Sequence, residues 1–231
     1  MATFTHKSPE PAAQGTGLAV RGLGKSYGRE TVLESVGFTL APGESLGISG
    51  SNGAGKTTLI HLLASVITPD EGSITLFGVP SNAGQAYRKH IGFVPQDIAL
   101  SPRLTVGQNL DFWASVRGLS GNERKAAVAE AARLAHVLDF LDKRVSRCSG
   151  GMARRANLAA GLVGNPALIL LDEPTAGIDE ENRAPILRSI RFLLDSGRMV
   201  VMVNHYREEL DAVCGRILTL PGSRCRIPVG G

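Results

Sequence analysis

One stretch limits what this chain can fold into more than any other: Leu46 to Leu63, LGISGSNGAGKTTLIHLL, an apolar strand, a glycine-rich turn and an apolar-periodic helix in direct succession. From Gly50 to Thr57 it fits G-x-x-x-x-G-K-[ST]. Such a turn is an anion cradle. Gly50, Gly53 and Gly55 let the backbone N–H groups of the loop, with Ser51, Asn52 and Ala54 between them, converge on phosphate oxygens. The helix that follows points its positive dipole end at the same place, Lys56 adds a full charge, and the Thr57 hydroxyl suits a magnesium ion. Both flanks agree, because Ser45 to Ser49 reads as a buried strand and Leu59, Ile60, Leu62, Leu63 and Val66 as a helix face. A phosphate cradle implies a nucleotide but does not say which nucleotide machine.

Length and composition narrow the field. A chain of 231 residues holds one large domain with a subdomain, and a second independent domain would be cramped. No apolar run reaches the 18 or more residues needed to cross a bilayer, and MATFTHKSPEPAAQG lacks the apolar centre of a signal peptide, so a cytoplasmic location is expected. The net charge of +4, from 25 basic and 21 acidic residues, is spread along the chain rather than clustered, and no nucleic-acid partner is expected. Cys148, Cys214 and Cys225 have no metal-ligand spacing and read as reduced thiols.

The pattern along the chain predicts an α/β fold. Residues 1–16 are rich in Pro, Ala, Gly and Ser and read as a disordered tail, leaving 17–231 as one domain. Strands are predicted over Leu18 to Leu23, Val32 to Leu40, Ser73 to Phe77 and Ile91 to Val94, with a turn at Lys25-Ser26-Tyr27-Gly28. From about 97 to 164 the periodicity becomes helical, with helices over Val106 to Val116, Glu123 to Leu138 and Ser149 to Leu162, so this block looks inserted. Ala167 to Leu171 and Met199 to Val203 are continuous apolar strands, which imply a parallel sheet covered on both faces. Helices over Glu181 to Asp195 and Arg207 to Val213 and a strand over Arg216 to Leu220 complete the pattern.

Further chemistry falls at strand and helix ends. LILLDE, Leu168 to Glu173, delivers two carboxylates to the carboxyl end of a buried strand, where ligands of parallel sheets gather. Asp172 suits a magnesium ligand and Glu173 a general base for an attacking water. Ser149 can cap a helix whose entry glycines, Gly150 and Gly151, let a phosphate approach the backbone, although Ser-Gly-Gly alone reads first as a plain cap. His205 follows a buried strand on the side of the two acids, and Gln96 follows another strand end, where it could orient water or complete a magnesium shell.

In family order and near family spacing, the set resembles the ATP-binding subunit of ABC transporters from about Leu18 to Leu220. The matching segments are GSNGAGKTT, which adds Thr58 to the cradle, then VPQ, CSGGM, LILLDEP, AGID and NHY. The resemblance implies a P-loop NTPase core with a mainly parallel sheet, an N-terminal antiparallel β subdomain and an inserted helical subdomain. It also implies that Tyr27 stacks on adenine, that Lys56 holds the β- and γ-phosphates of ATP, that Thr57 and Gln96 bind Mg2+, and that Glu173 polarises water. His205 would contact the γ-phosphate, and Ser149, Gly150 and Gly151 would reach ATP held by a second copy of the chain or a related subunit, with Asp179 linking the two sites. A membrane-spanning permease subunit would be the other partner, with the chain peripheral on the inner face of the cell membrane. Phe112 and Trp113 would either meet that partner or lie in the core of the helical block.

PRLTVGQNLDFWASVRGL, SGGMARRANLA and NHYREEL are similar to the drug-, lipid- or polysaccharide-export branch. Two departures stand in the signature, where Cys148 replaces the usual Leu and Met152 the commonest Gln, and Cys148 is expected to make the site sensitive to thiol reagents. Most of the C-terminal extension of many relatives is expected to be missing. The other class to weigh is a soluble ATPase of the same type that acts on nucleic acid or in complex assembly without transport.

Overall fold

The computed structural model describes residues 17–221 and the two-residue strand Thr3–Phe4. In chain order the first elements are β1 (Thr3–Phe4), β2 (Leu18–Tyr27), β3 (Glu30–Leu40), β4 (Ser45–Ser49), α1 (Lys56–Leu63), β5 (Glu71–Leu76), β6 (Val79–Pro80) and α2 (Gln85–Arg88). Then come β7 (Ile91–Val94), α3 (Val106–Val116), α4 (Gly121–Leu134) and α5 (Gly150–Leu162). The chain closes with β8 (Leu168–Asp172), α6 (Glu180–Asp195), β9 (Met199–Val203), α7 (Arg207–Val213) and β10 (Arg216–Thr219).

Two sheets result. One is antiparallel, in the order β3-β2-β5-β6; the other runs β1-β10-β4-β9-β8-β7, parallel except for β1 against β10. Thr3 and Phe4 fall inside the expected tail, and the rest of that stretch lies outside the described residues, as does Cys225. The central parallel strands are mostly apolar because both faces are covered. On β8, Leu168 and Leu170 pack toward α1 and the antiparallel sheet, while Ile169 and Leu171 pack toward the helices of the inserted block, α6 and α7. The strand period of two sends alternate side chains to the two cores, each buried one contributing about 1.5–3 kcal/mol.

Helices α3, α4 and α5 lie between β7 and β8. Thr105 starts α3 with a reciprocal cap: its hydroxyl accepts from the Gln108 N–H at 3.1 Å and Gln108 accepts from the Thr105 N–H at 2.9 Å. Helix α5 lies directly on β7, because Gly92 and Gly161 remove the side chains between them. A Cβ on Gly92 would stand 2.3 Å from the Gly161 carbonyl oxygen.

Two helix ends differ from the periodic reading for one reason. Helix α4 stops at Leu134, not Leu138: His136 turns left-handed at φ 54° and the N–H groups of His136 and Val137 bond back to Arg133 and Ala132. Helix α1 stops at Leu63 in the same way at Ser65, φ 55°, with Ser65 and Val66 bonded to Leu62 and His61. This closing motif satisfies the last carbonyls but usually advertises itself with glycine, which neither site has. Leu138 and Val66 are therefore exposed, at 51% and 59%, instead of facing the core. Strand β2 also continues past Leu23 through an irregular register, so Tyr27 is a strand end and the turn follows it at Gly28.

Candidate active site

The glycine-rich loop joins β4 to α1 through backbone shapes that only glycine adopts freely. Gly50, Gly53 and Gly55 have φ of 152°, 78° and 89°. At Gly55 a Cβ would stand 2.8 Å from Val32 Cγ1, so β3 closes against the loop as well. Lys56 is the first residue of α1, 7% exposed, and its ammonium donates to the carbonyls of Gly50 at 2.9 Å and Ser51 at 3.0 Å. The charge is thus held over the loop at the helix N-terminus, where no side chain caps the first turn. Ser51, Asn52, Gly53 and Thr57 face solvent, Thr58 is half-buried and Ala54 is buried.

Three neighbouring parallel strands, β7, β8 and β9, bring together at their carboxyl ends the side chains that the sequence singled out. Gln96 Nε2 donates to Glu173 Oε2 at 3.2 Å, and His205 Nε2 stands 2.7 Å from Glu173 Oε1. Glu173 leaves its strand at φ 49°, while its N–H donates to the Val203 carbonyl at 3.0 Å, so the carboxylate swings toward the end of β9. Asp172, the last residue of β8, is 2% exposed, and its Oδ1 is buried with no hydrogen-bond partner. Burial and then the Glu173 charge push the Asp172 carboxyl above the ordinary carboxylate range, against the pull of His61, Lys56 and His205.

A second group of predicted residues gathers elsewhere. Ser149 caps α5 by accepting from the Met152 N–H at 3.3 Å. Asp179 caps α6, accepting from Asn182 N at 2.9 Å and Nδ2 at 2.7 Å, and these bonds hold its carboxyl below the usual range. The two helix starts touch: a Cβ on Gly151 would lie 2.5 Å from Asn182 Oδ1, and Ile178 is the nearest side chain to Gly150. Tyr27 stands at the end of β2, 52% exposed, with Lys25 Nζ 5.6 Å from its ring centroid. Asp70 anchors that strand end through Lys25 Nζ and the Ser26 N–H, both at 2.8 Å.

Sequence reasoning missed Arg154, three residues beyond Gly151 on α5. Its Nε donates to the Ala176 carbonyl at 3.1 Å and its Nη1 to the Gln96 carbonyl, so one guanidinium ties the Ser-Gly-Gly helix to both segments that flank Glu173. The only signal was its place one helical turn from Gly151. Cys148 is half-buried; burial raises its thiol above the ordinary value, with Lys143 opposing, so the structure does not favour the thiolate that thiol sensitivity would need. On α3, Phe112 is 54% exposed and Trp113 packs partly against the core.

A family model described as ABC transporter matches residues 33–176. The chain belongs to the ABC transporter family. Among curated relatives of this family, it is 39% identical over 202 residues to the linearmycin resistance ATP-binding protein of Bacillus subtilis, covering 87% of this chain and 65% of that protein. It is 36% identical over 210 residues to the Nod factor export ATP-binding protein I of Rhizobium etli, covering 90% and 66%. The chain thus spans about two thirds of the length of these relatives, 65% and 66%.

Solved ABC transporter structures share the fold, so the α/β core with its antiparallel sheet is the P-loop NTPase architecture of ABC ATPase domains. An ATP binding subunit of an ABC transporter superposes with a TM-score of 0.79 at 26% identity, over 89% of this chain and 86% of that one. The dimeric bacterial ABC transporter cassette MJ0796 does so with a TM-score of 0.79 at 27% identity, over 88% and 94%. A post-hydrolysis state of that cassette, bound to ADP and Pi, gives 0.79 at 27%, over 90% and 97%. Among the described residues no helix is long and apolar enough to cross a membrane.

Proposed function

We propose that this chain is an ATP-hydrolysing subunit that dimerises around two ATP molecules and powers export through a separate membrane-spanning partner, from the inner face of the membrane. The observation that carries the proposal is the convergence of Gln96, Glu173 and His205 from three adjacent strand ends beside the phosphate cradle. The names of the export and resistance relatives and the dimeric cassette support the wider setting.

In this reading the loop Gly50 to Gly55, Lys56 and Thr58 grip the phosphates, and Tyr27 stacks on adenine. The residues present fit a magnesium ion: the buried Asp172 Oδ1 lacks a partner, and Thr57 offers an exposed hydroxyl. Thr57 and Gln96 would hold the ion with Asp172 behind them, and bound magnesium would neutralise charge on the β- and γ-oxygens. Glu173 accepts the proton of the attacking water, and His205, at 2.7 Å, orients that carboxylate and meets the γ-phosphate. Ser149, Gly150 and Gly151, at the helix start that touches the one Asp179 caps, would act on the ATP of a second subunit, a copy of this chain or a relative. ATP then joins the subunits, and loss of the γ-phosphate contacts lets them part.

Glu173→Gln tests this. It should bind ATP, lose roughly 10²- to 10⁴-fold in hydrolysis, and accumulate as an ATP-dependent dimer in light scattering. A variant that stays monomeric at high concentration with saturating ATP would overturn the shared site.

A further inference from the structure

A buried carboxylate that none of these roles uses lies behind the site. Glu209, in the first turn of α7, is 8% exposed. Its Oε2 accepts from Thr175 Oγ1 at 2.5 Å and from Asn204 Nδ2 at 2.7 Å, and its Oε1 stands 3.3 Å from Arg183 Nη1. Thr175 and Asn204 are 0% and 4% exposed and bond to each other at 3.1 Å.

The positions of these partners give the cluster its meaning. Thr175 lies two residues after Glu173, and Asn204 immediately precedes His205. Strands β8 and β9 are paired only as far as Asp172 opposite Val203, with one further bond from the Glu173 N–H. Past that rung the two chains leave the sheet, and the ladder no longer sets how the Glu173 and His205 side chains face each other. The next ties between them are the direct bond from Asn204 Nδ2 to Thr175 Oγ1 and, joining both residues at one oxygen, Glu209. Asn204 Oδ1 also accepts from the Tyr206 N–H at 3.1 Å, closing a short turn that carries His205. Arg183 extends the cluster by donating from Nε to the carbonyl of Ile178, the residue before Asp179, at 3.0 Å.

We infer that Glu209 is a positioning residue for hydrolysis: it locks the turns that carry Glu173 and His205 in one register, so that their 2.7 Å contact is kept. The two oxygens of this buried carboxyl accept from Thr175, Asn204 and Arg183, and leaving such partners unpaired in the interior is costly, so the crosslink holds the two turns together. The inference rests on the site proposed above.

The test exchanges donor and acceptor across the Asn204–Glu209 bond. Glu209→Gln leaves one acceptor oxygen in place of two, so it sets an NH2 against donors on one side, either Asn204 with Thr175 or Arg183; Asn204→Asp sets two carboxylates face to face, and the double variant restores one donor opposite one acceptor. In the whole chain, each single variant should lose roughly 10- to 100-fold in kcat, with binding of a fluorescent ATP analogue unchanged because the cradle is untouched. The double variant should recover most of the loss. Melting curves establish that each protein is folded at the assay temperature. Wild-type kcat in Glu209→Gln overturns the inference. So does parallel loss of binding and turnover, which marks a merely structural residue, or a double variant as impaired as the singles. Glu173→Gln run alongside separates the two failures: if it hydrolyses normally the site itself is wrong, and if it is inactive while Glu209→Gln is normal, only the role of Glu209 falls.

Discussion

Asp172→Asn should make the nucleotide-free protein more stable at neutral pH. The wild-type carboxylate sits at the end of β8, 2% exposed, with Oδ1 unpartnered and Glu173 beside it. A buried polar atom without a partner costs about 1–3 kcal/mol, and more when charged. Asparagine keeps the shape and one acceptor oxygen but removes the charge, so a gain of about 1–2 kcal/mol is expected, or ~2–8 °C in Tm for a domain of this size. The pH dependence gives the sign. The native carboxyl is raised above its unfolded value, so its contribution to stability is full below the ordinary carboxylate range and is lost as pH rises through the raised native value. The advantage of the variant should therefore be largest at neutral pH and vanish toward acid. Thermal unfolding from pH 4 to 8 without nucleotide measures it. With magnesium and ATP the order should reverse, because a ligand that uses this oxygen stabilises only the wild type. A variant that melts below the wild type at pH 7.5 without nucleotide, or whose advantage grows toward acid, would refute the argument.

Three further outcomes can be checked. Gly92→Ala would set a Cβ 2.3 Å from the Gly161 carbonyl oxygen and 2.7 Å from Pro166 Cγ; an overpacking cost near ~3 kcal/mol less the roughly 0.5–1 gained by replacing glycine leaves a net loss of about 2 kcal/mol in denaturant unfolding. In a Cys225→Ser background, Cys148 should react with a disulfide reagent at pH 7.5 more slowly than a free thiol, and Cys214, pushed up to about 12 by burial, more slowly still; fast labelling of Cys148 would contradict the raised thiol. Arg154→Ala frees the carbonyls of Gln96 and Ala176 and should lower kcat with ATP binding kept, as steady-state kinetics beside a binding titration would reveal.

The fold was most legible where punctuation and period agreed. Strands β4, β7 and β9 and helices α3 and α7 begin and end where the sequence placed them. For α3 the start is marked by capping residues that the backbone then uses, Thr105 and Gln108. The ends of α1 and α4 were not legible, because Ser65 and His136 occupy left-handed positions that glycine usually marks. Periodicity continued past the place where hydrogen bonding had already turned the chain.

The candidate site divides along a similar line. Gln96, Glu173 and His205 could be named because each follows an apolar run, and parallel strands send such residues to one edge. In the chain, however, the whole helical block separates Gln96 from Glu173, and α6 and β9 separate Glu173 from His205; only the adjacency of β7, β8 and β9 brings their side chains within bonding distance. The supporting groups left no such trace. Thr175, Asn204 and Glu209 are ordinary polar residues in sequence, and Arg154 is one basic residue among many. What distinguishes the first three is burial next to one another, and Arg154 its bonds to the Ala176 and Gln96 carbonyls, properties of the sheet order and of the turns leaving it. A motif therefore names the atoms that touch a ligand, while the groups that hold those atoms at 2.7 Å are chosen by packing, and only the folded chain reveals them.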